Sequence, residues 1–292
     1  MILEIGILCA FGAFLFWGVG DFLIQRSSRK FGDFETLFIL SVVGLVCLTP
    51  FVYRDLPALF SFQDRRFLFL LIASLVLFTA AILDFEALRI GKLAIVEPVF
   101  SLEVPVAVAM AMFVLKEQVT LLQGSLILAT LLGLVLISLR TTDISSKDFL
   151  ERGIIIALLA AVFFGLSNFF VGFASRVASP LLTNWFLCLV HLILVSGYLI
   201  YNKRIPQLAR DMWGNRGLAL TMSLIDNGAW VFYAFAASLA PISIVVPISE
   251  SYVGLAVLLG IVVNKERILM HQKIGLAVAF ASVVALAMVT GG

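Results

Sequence analysis

Ten apolar runs, each near the length of a bilayer-spanning helix, constrain this chain more than any other feature. Their approximate limits are 2–25, 34–53, 67–89, 93–115, 119–139, 149–174, 180–201, 217–239, 242–263 and 268–289. About 20 apolar residues cross the hydrocarbon core as a helix. In lipid a helix satisfies its own backbone, which an open strand cannot do. Hydrophobic residues make up 62% of the 292 and charged ones 13%, against roughly 45–50% and 25% in soluble domains. The expected class is an all-α integral membrane protein with ten transmembrane helices. The breaks between runs are short, so consecutive helices are antiparallel neighbours, and no polar segment is long enough to fold alone. A separate catalytic or nucleotide-binding domain has no room.

Composition and motifs exclude several functions. Twenty basic residues against eighteen acidic ones leave a charge of +2, so nothing points to nucleic acid. A phosphate-binding loop needs G-x-x-x-x-G-K-[ST]; before Gly91-Lys92, Glu86 stands where the first glycine belongs. Cys9, Cys47 and Cys188 are scattered through apolar runs and read as small hydrophobes. His191 and His271 fit no H-E-x-x-H pattern, and His191 reads as a packing residue. No cofactor and no metal is expected. The amino terminus lacks a basic region and a cleavage site, so it reads as the first transmembrane helix.

The chain repeats itself. With an offset of 147, residues 10–29 match 157–176 at seven of twenty positions, among them Phe16/Phe163, Gly18/Gly165, Ser28/Ser175 and Arg29/Arg176. With an offset of 149, residues 87–123 match 236–272 at eleven of thirty-seven, among them Pro98/Pro247, Lys116/Lys265, Glu117/Glu266 and Gln123/Gln272. Apolar composition does not produce shared proline, lysine, glutamate and glutamine. Each half, 1–143 and 144–292, is therefore a five-helix unit. Five is odd, so the halves sit in the membrane with opposite orientation. Inverted repeats place a substrate site near the midplane, at their interface.

The stretch Trp17-Gly18-Val19-Gly20-Asp21-Phe22 and its repeat Phe164-Gly165-Leu166-Ser167-Asn168-Phe169 resemble the first-helix signature of the EamA-like family of the drug/metabolite transporter superfamily. The resemblance continues through Pro98, Lys116-Glu117 and Gln123-Gly124, and again through Pro247, Lys265-Glu266, Gln272 and Gly275. It covers nearly the whole chain. It implies ten helices in two inverted repeats and a secondary transporter that moves small organic metabolites, such as amino acids, outward by alternating access. It further implies a multi-pass protein of a prokaryotic plasma membrane.

An ionisable side chain at the centre of a span costs about 2.5–3.5 kcal/mol on insertion scales and so faces a cavity or a partner. Glu103, Asp226 and Glu250 lie near the centres of the fourth, eighth and ninth spans. Asp226 shares a helical face with Trp230 and Tyr233. Glu250 follows Pro247, whose missing N–H frees a carbonyl one turn back. The expected substrate-binding set is Glu250, Asp226, Trp230, Tyr233, Glu103, Ser101, Asn168 and Trp17. The first, third, fourth, sixth, eighth and ninth helices are expected to line the path, with the second and seventh outside. The bland alternative is that these acids are protonated and hold helices together. Asp21 and Asn168 serve equally as caps or gate contacts. Glu86 with Arg89, and Asp84 and Glu97 with Lys92, read as local ion pairs; the Lys-Glu pairs read as turn structure.

The expected partners are a small-molecule substrate, membrane lipid and protons, which mid-membrane carboxylates can exchange; oligomeric state is left open. A passive facilitator and an intramembrane enzyme are the rival readings. For the latter, Gly18-Val19-Gly20-Asp21 lacks a companion aspartate motif, and Ser167 with His191 only mimics a nucleophile–base pair.

Loop charge sets orientation. Arg54, Arg65, Arg66, Lys116 and Arg176 lie on the face shared with both termini, and the other fifteen basic residues lie on the opposite face. The count places the termini outside, whereas the resemblance implies termini in the cytoplasm. A carboxy-terminal alkaline phosphatase fusion is expected to be active and a fluorescent-protein fusion dark; the reverse pattern refutes the charge count.

Overall fold

The computed structural model describes residues 1–60, 65–90, 99–139, 152–255, 257–258 and 269–291. Lys92, Glu97, Pro98, Lys265 and Glu266 lie outside them, as do the side chains of Asp21 and Arg89. The described residues form helices and contain no strand. The elements are α1 (Ile2–Phe31), α2 (Asp33–Val52), α3 (Leu56–Leu59), α4 (Arg65–Ile90), α5 (Glu103–Val114), α6 (Leu121–Ser138), α7 (Arg152–Val177), α8 (Pro180–Tyr201), α9 (Ile205–Gly214), α10 (Arg216–Leu239), α11 (Ile242–Glu250) and α12 (Met270–Gly291).

Eight of these helices are long and apolar enough to cross a membrane. Two shorter apolar helices, Glu103–Val114 and Ile242–Leu255, fall in the expected fourth and ninth spans. Three boundaries differ from those expected. The first helix continues through Arg26 and Lys30 to Phe31, because the charges ride on exposed or half-buried turns that propagate an already nucleated helix. The segments 54–66 and 202–216, expected as loops, contain α3 and α9, each with a proline in its first turn. α9 is amphipathic: Leu208 is buried among Phe31, Ile39, Val195, Leu199 and Met222, while Arg210 and Trp213 face outward. Large apolar side chains also cover the outside of the bundle, with Leu8 69%, Ile193 62% and Phe113 74% exposed. Apolar outside as well as inside is how a chain meets lipid.

The helices pair across the two halves. α1 packs along α10 and α4 along α7; α5 lies on α7 and α11 on α1; α2 pairs with α8 and α6 with α12. Exchanging the halves returns the same set of pairs. The detail repeats too. A Cβ on Gly165 would come within 2.6 Å of Val106, and one on Gly18 within 2.6 Å of Leu255. Val106 and Leu255 are themselves 149 residues apart, so the two contacts are equivalent.

The α6–α12 pair shows why small and amide residues recur. Gln123 closes a capping box with Thr120 at the start of α6, and its Nε2 donates to Thr290 Oγ1 of α12 at 3.1 Å. Its equivalent, Gln272, accepts the Leu269 N–H through Oε1 and donates to Ile137 O of α6 at 3.0 Å. His271 reaches Leu139 O at 2.9 Å, and Thr130 donates to Ser282 at 3.2 Å. Midway, Gly133 and Gly275 bring the backbones together: a Cβ on Gly133 would stand 2.8 Å from Gly275 O, and one on Gly275 2.7 Å from Gly133 O. Close approach over small residues gives membrane helices their van der Waals contact.

Gly133→Leu is expected to cost about 1–3 kcal/mol by overpacking, because the obstructing atoms are backbone. Thermal unfolding in detergent should show a clear drop for Gly133→Leu, and little change for Gly197→Leu, whose added Cβ meets nothing.

Candidate functional site

The two short helices mark the site. The expected fourth span turns at Ser101 and Leu102 before α5 starts, and the ninth turns at Ser251 after α11 ends. Ser101 and Glu250 occupy equivalent repeat positions. Bonds here span three residues instead of four: Leu102 N–H to Val99 O at 3.0 Å, Val104 N–H to Ser101 O at 3.4 Å, and Gly254 N–H to Ser251 O at 2.9 Å. Serine hydroxyls take further carbonyls, with Ser249 donating to Val246 O and Ser251 to Ile248 O. Serines that compete for backbone partners loosen a helix locally.

The turn at Ser251 leaves the Glu250 carboxylate inside the bundle, 6% exposed. Asn168 of α7, also buried, donates its Nδ2 to Glu250 Oε1 at 3.0 Å. The Tyr233 hydroxyl of α10 donates to the Asn168 backbone carbonyl at 2.7 Å. Above this chain stands an aromatic cluster. Trp17 of α1 meets Trp230 at 5.1 Å with ring planes at 83°, Tyr233 at 5.6 Å, and Tyr252 at 5.9 Å between centroids. Trp230 and Tyr233 lie 5.9 Å apart at 81°. Edge-to-face pairs of this kind set the positive rim of one ring against the negative face of another. Asn184 of α8 holds the turn of α10 that carries Trp230, donating to its carbonyl at 3.3 Å.

Five of the eight expected residues thus converge: Trp17, Asn168, Trp230, Tyr233 and Glu250. Glu103 follows the turn inside the expected fourth span. It opens α5, half-buried, with its carbonyl where a Cβ on Gly165 would fall, 2.5 Å away. Ser101 is buried at the preceding turn. Asp226 lies two turns before Tyr233 on α10, about 10 Å along the axis at 1.5 Å per residue. It is buried, near Cys188 of α8. Among the described residues, Glu250, Glu103, Glu117 and Arg176 lie near enough to act on the Tyr233 hydroxyl. Tyr252 is a member the sequence concealed. In a continuous helix, residues i and i+2 point apart, and only the turn at Ser251 brings its ring to Trp17.

A second assembly lies at the start of α11. Lys116 adopts a left-handed conformation, φ 57°, after α5, and the Glu117 N–H returns to Ala111 O at 3.3 Å. That turn delivers the Glu117 carboxylate to the start of α11, where it accepts from the backbone of Ile242 at 3.0 Å and Ser243 at 2.9 Å, and from the Ser243 hydroxyl at 2.8 Å. Arg176, near the end of α7, bridges to Glu117 at 2.9 Å and donates to Ala237 O and Ala240 O at the end of α10. An anion at a helix start and a cation at a helix end both complement the helix dipole. The clasp joins α5, α7, α10 and α11 on the face shared with the termini. On the opposite face Arg204 binds Glu35 at 2.9 Å, which holds the guanidinium still more firmly in its charged form.

The residues of the enzyme reading are engaged elsewhere. Ser167 donates to Phe164 O, and His191 faces Ser74 O at 3.1 Å and packs on Phe78, as a packing histidine should. No group of three metal-ligating side chains occurs among the described residues.

Comparison with known proteins places this geometry. A solved crystal structure matches with a TM-score of 0.74 at 17% identity, over 98% of this chain and 96% of that one; the likeness is one of fold. "Uncharacterized protein MJ1333.1" of Methanocaldococcus jannaschii is 28% identical over 128 residues, 43% of this chain and 90% of that one, so it is about the size of one half. The sequence pattern of the EamA-like transporter family matches twice, over residues 4–139 and 151–288. With a match to each half, eight helices able to cross a membrane and paired halves, this multi-pass membrane protein belongs to the EamA-like transporter family.

Proposed function

We propose that this chain is a secondary active transporter that moves small organic metabolites, amino acids or related compounds, outward across a prokaryotic plasma membrane. The observation that carries the reading is the buried Glu250–Asn168 pair beside the Trp17, Trp230, Tyr233 and Tyr252 rings, at the turn after α11 with an equivalent turn before α5. Sites between repeats, built on discontinuous helices, belong to alternating-access transporters. In this reading the two short helices complete a set of ten spans, and the halves 1–143 and 144–292 are inverted. The substrate meets Glu250, Asn168, Trp17, Trp230 and Tyr233, with Ser101, Glu103 and Asp226 along the path. The termini lie outside, so the Glu117–Arg176 clasp is an outer closure.

Alternating access requires that closure to be reversible. The clasp consists of a few charged hydrogen bonds between helix ends, not an interlocked core, and so can part without unfolding either half. Coupling to protons falls naturally to Glu250, which faces Asn168 on α7 and lies within electrostatic reach of Tyr233.

Two experiments test the reading. In proteoliposomes, uptake should saturate and respond to an imposed pH gradient; Glu250→Gln, which can still accept the Asn168 amide, should fold yet lose that response. Linear uptake indicates a facilitator, and an unchanged pH profile in Glu250→Gln removes this carboxylate from coupling. In a background without the native cysteines, Val246→Cys, fully buried between clasp and site, should react slowly with a membrane-impermeant maleimide. Glu117→Gln should speed labelling at least about tenfold, since a hydrogen bond to a charged group contributes about 1.5–3 kcal/mol. Equal rates would show that the clasp closes nothing.

A further inference from the structure

We infer that α9 is an interfacial helix whose outward face, Arg210 and Trp213 with the neighbouring Arg216, holds the headgroup phosphate of an anionic glycerophospholipid. This face lies apart from the Glu250 pocket, and the inference does not depend on the transport reading.

The inward side of α9 is fixed by packing. Leu208 is 3% exposed, and Met212, one turn later, packs beside it against the cluster of Phe31, Ile39 and Met222. Arg210 stands two residues after Leu208 and so points the other way. Trp213, at i+3, shares the face of Arg210, and both are exposed, the indole by 78%. In water that ring would leave a large apolar surface unburied. At headgroup depth its apolar body and its polar N–H are both accommodated, which is why tryptophan collects there. Tyr198 and Tyr201, in the last turn of the preceding α8, are exposed as well.

Two guanidiniums flank the indole. The Arg216 Cζ lies 6.0 Å from the Trp213 ring centroid, within the range of a cation–π contact. A guanidinium held in this way still offers a planar fork of N–H groups that matches two phosphate oxygens. Arg176 and Arg204 each meet a glutamate at 2.9 Å; among the described residues no carboxylate pairs with Arg210 or Arg216. Asp211, the acid of α9 itself, is half-buried and two residues from Trp213, so the two point apart.

The repeat supplies an independent observation. At the offset of 149, α3 is the counterpart of α9: Pro57 matches Pro206, and buried Leu59 matches buried Leu208. Those residues serve a scaffold common to both halves. Arg210, Trp213 and Arg216 instead match Ser61, Asp64 and Phe67, so the arginine–tryptophan–arginine set belongs to α9 alone. It stands on the face opposite the termini, which the loop charge count assigns to the cytoplasm, where anionic lipid makes the leaflet surface negative.

The test places the full chain in phosphatidylcholine vesicles with a trace of phosphatidylglycerol or phosphatidylcholine that carries a doxyl quencher beside the glycerol. The difference between the unmodified protein and Trp213→Phe isolates the Trp213 emission from that of Trp17, Trp185 and Trp230; the ring is exposed, so the change leaves the packing intact. Labelled phosphatidylglycerol should quench Trp213 at least about fivefold more effectively than labelled phosphatidylcholine, the ratio produced by about 1 kcal/mol from one arginine at an anionic surface. The double change Arg210→Gln with Arg216→Gln should abolish the preference, whereas Arg54→Gln, on the opposite face, should preserve it. Equal quenching by the two lipids overturns the inference, because the indole then meets lipid without selecting a headgroup. Quenching by neither lipid, with Trp213 open to aqueous acrylamide, also overturns it and gives the face to water or a soluble partner. A preference that survives the double change refutes the role of these arginines. The comparison of the two lipids needs only the exposed-site change Trp213→Phe, so it decides the matter even if the double variant fails to fold.

Discussion

Lipid offers a peptide group nothing to bond with, and this constraint governs the whole molecule. An unsatisfied N–H or carbonyl in hydrocarbon costs several kcal/mol. Continuous helices avoid that cost. A turn inside a span does not, unless other protein groups supply the missing partners. Here the turns before α5 and after α11 are satisfied by three-residue bonds and by serine hydroxyls, and α7 and α10 pack against them. The same turns give the site its polarity, since they are where Glu250 and Ser101 leave the helical register. Structural cost and functional opportunity fall on the same few residues.

Charge is used economically at the helix ends for the same reason. α11 begins at Ile242 after a proline that offers no side-chain cap, so its first amides are capped by Glu117 of the α5–α6 turn. α10 ends on carbonyls that Arg176 of α7 collects. The ion pair between these two residues is almost a by-product: each is already bound to a helix terminus. A pair assembled in this way positions four elements and leaves each of them internally complete.

Much of this was legible in the residues. The apolar runs located the helices, and the repeat offset placed Gly18 with Gly165 and Gln123 with Gln272 before their contacts were known. Glu250, Trp17, Trp230, Tyr233 and Asn168 stood out as polar or aromatic groups in lipid-soluble segments. The rest was hidden because helical periodicity presumes an unbroken helix. With the turns ignored, Tyr252 pointed away from Trp17. The serines flanking both turns, Ser101 and Ser249 with Ser251, were the available signal. Arg176 was visible as a repeat match and a loop charge, but nothing in a linear sequence shows that a helix-end arginine will collect another helix's carbonyls. Asp226 was grouped with Glu250 by composition, and its two-turn offset toward α8 is a matter of tertiary placement.

The pairing of helices across the halves bears on how such a chain is made. α1 rests on α10, α2 on α8, α4 on α7 and α6 on α12, so the first five helices have few of their final neighbours within their own half. They leave the ribosome first, and at about 5–20 residues per second the second half takes many seconds to follow. During that interval the small-residue faces of α1 and α6 lie against lipid, and Trp17 lacks Trp230, Tyr233 and Tyr252. Folding therefore proceeds as the assembly of two half-proteins tethered by residues 140–151, not as a succession of finished hairpins. For the first half, the native environment is a partner not yet synthesised.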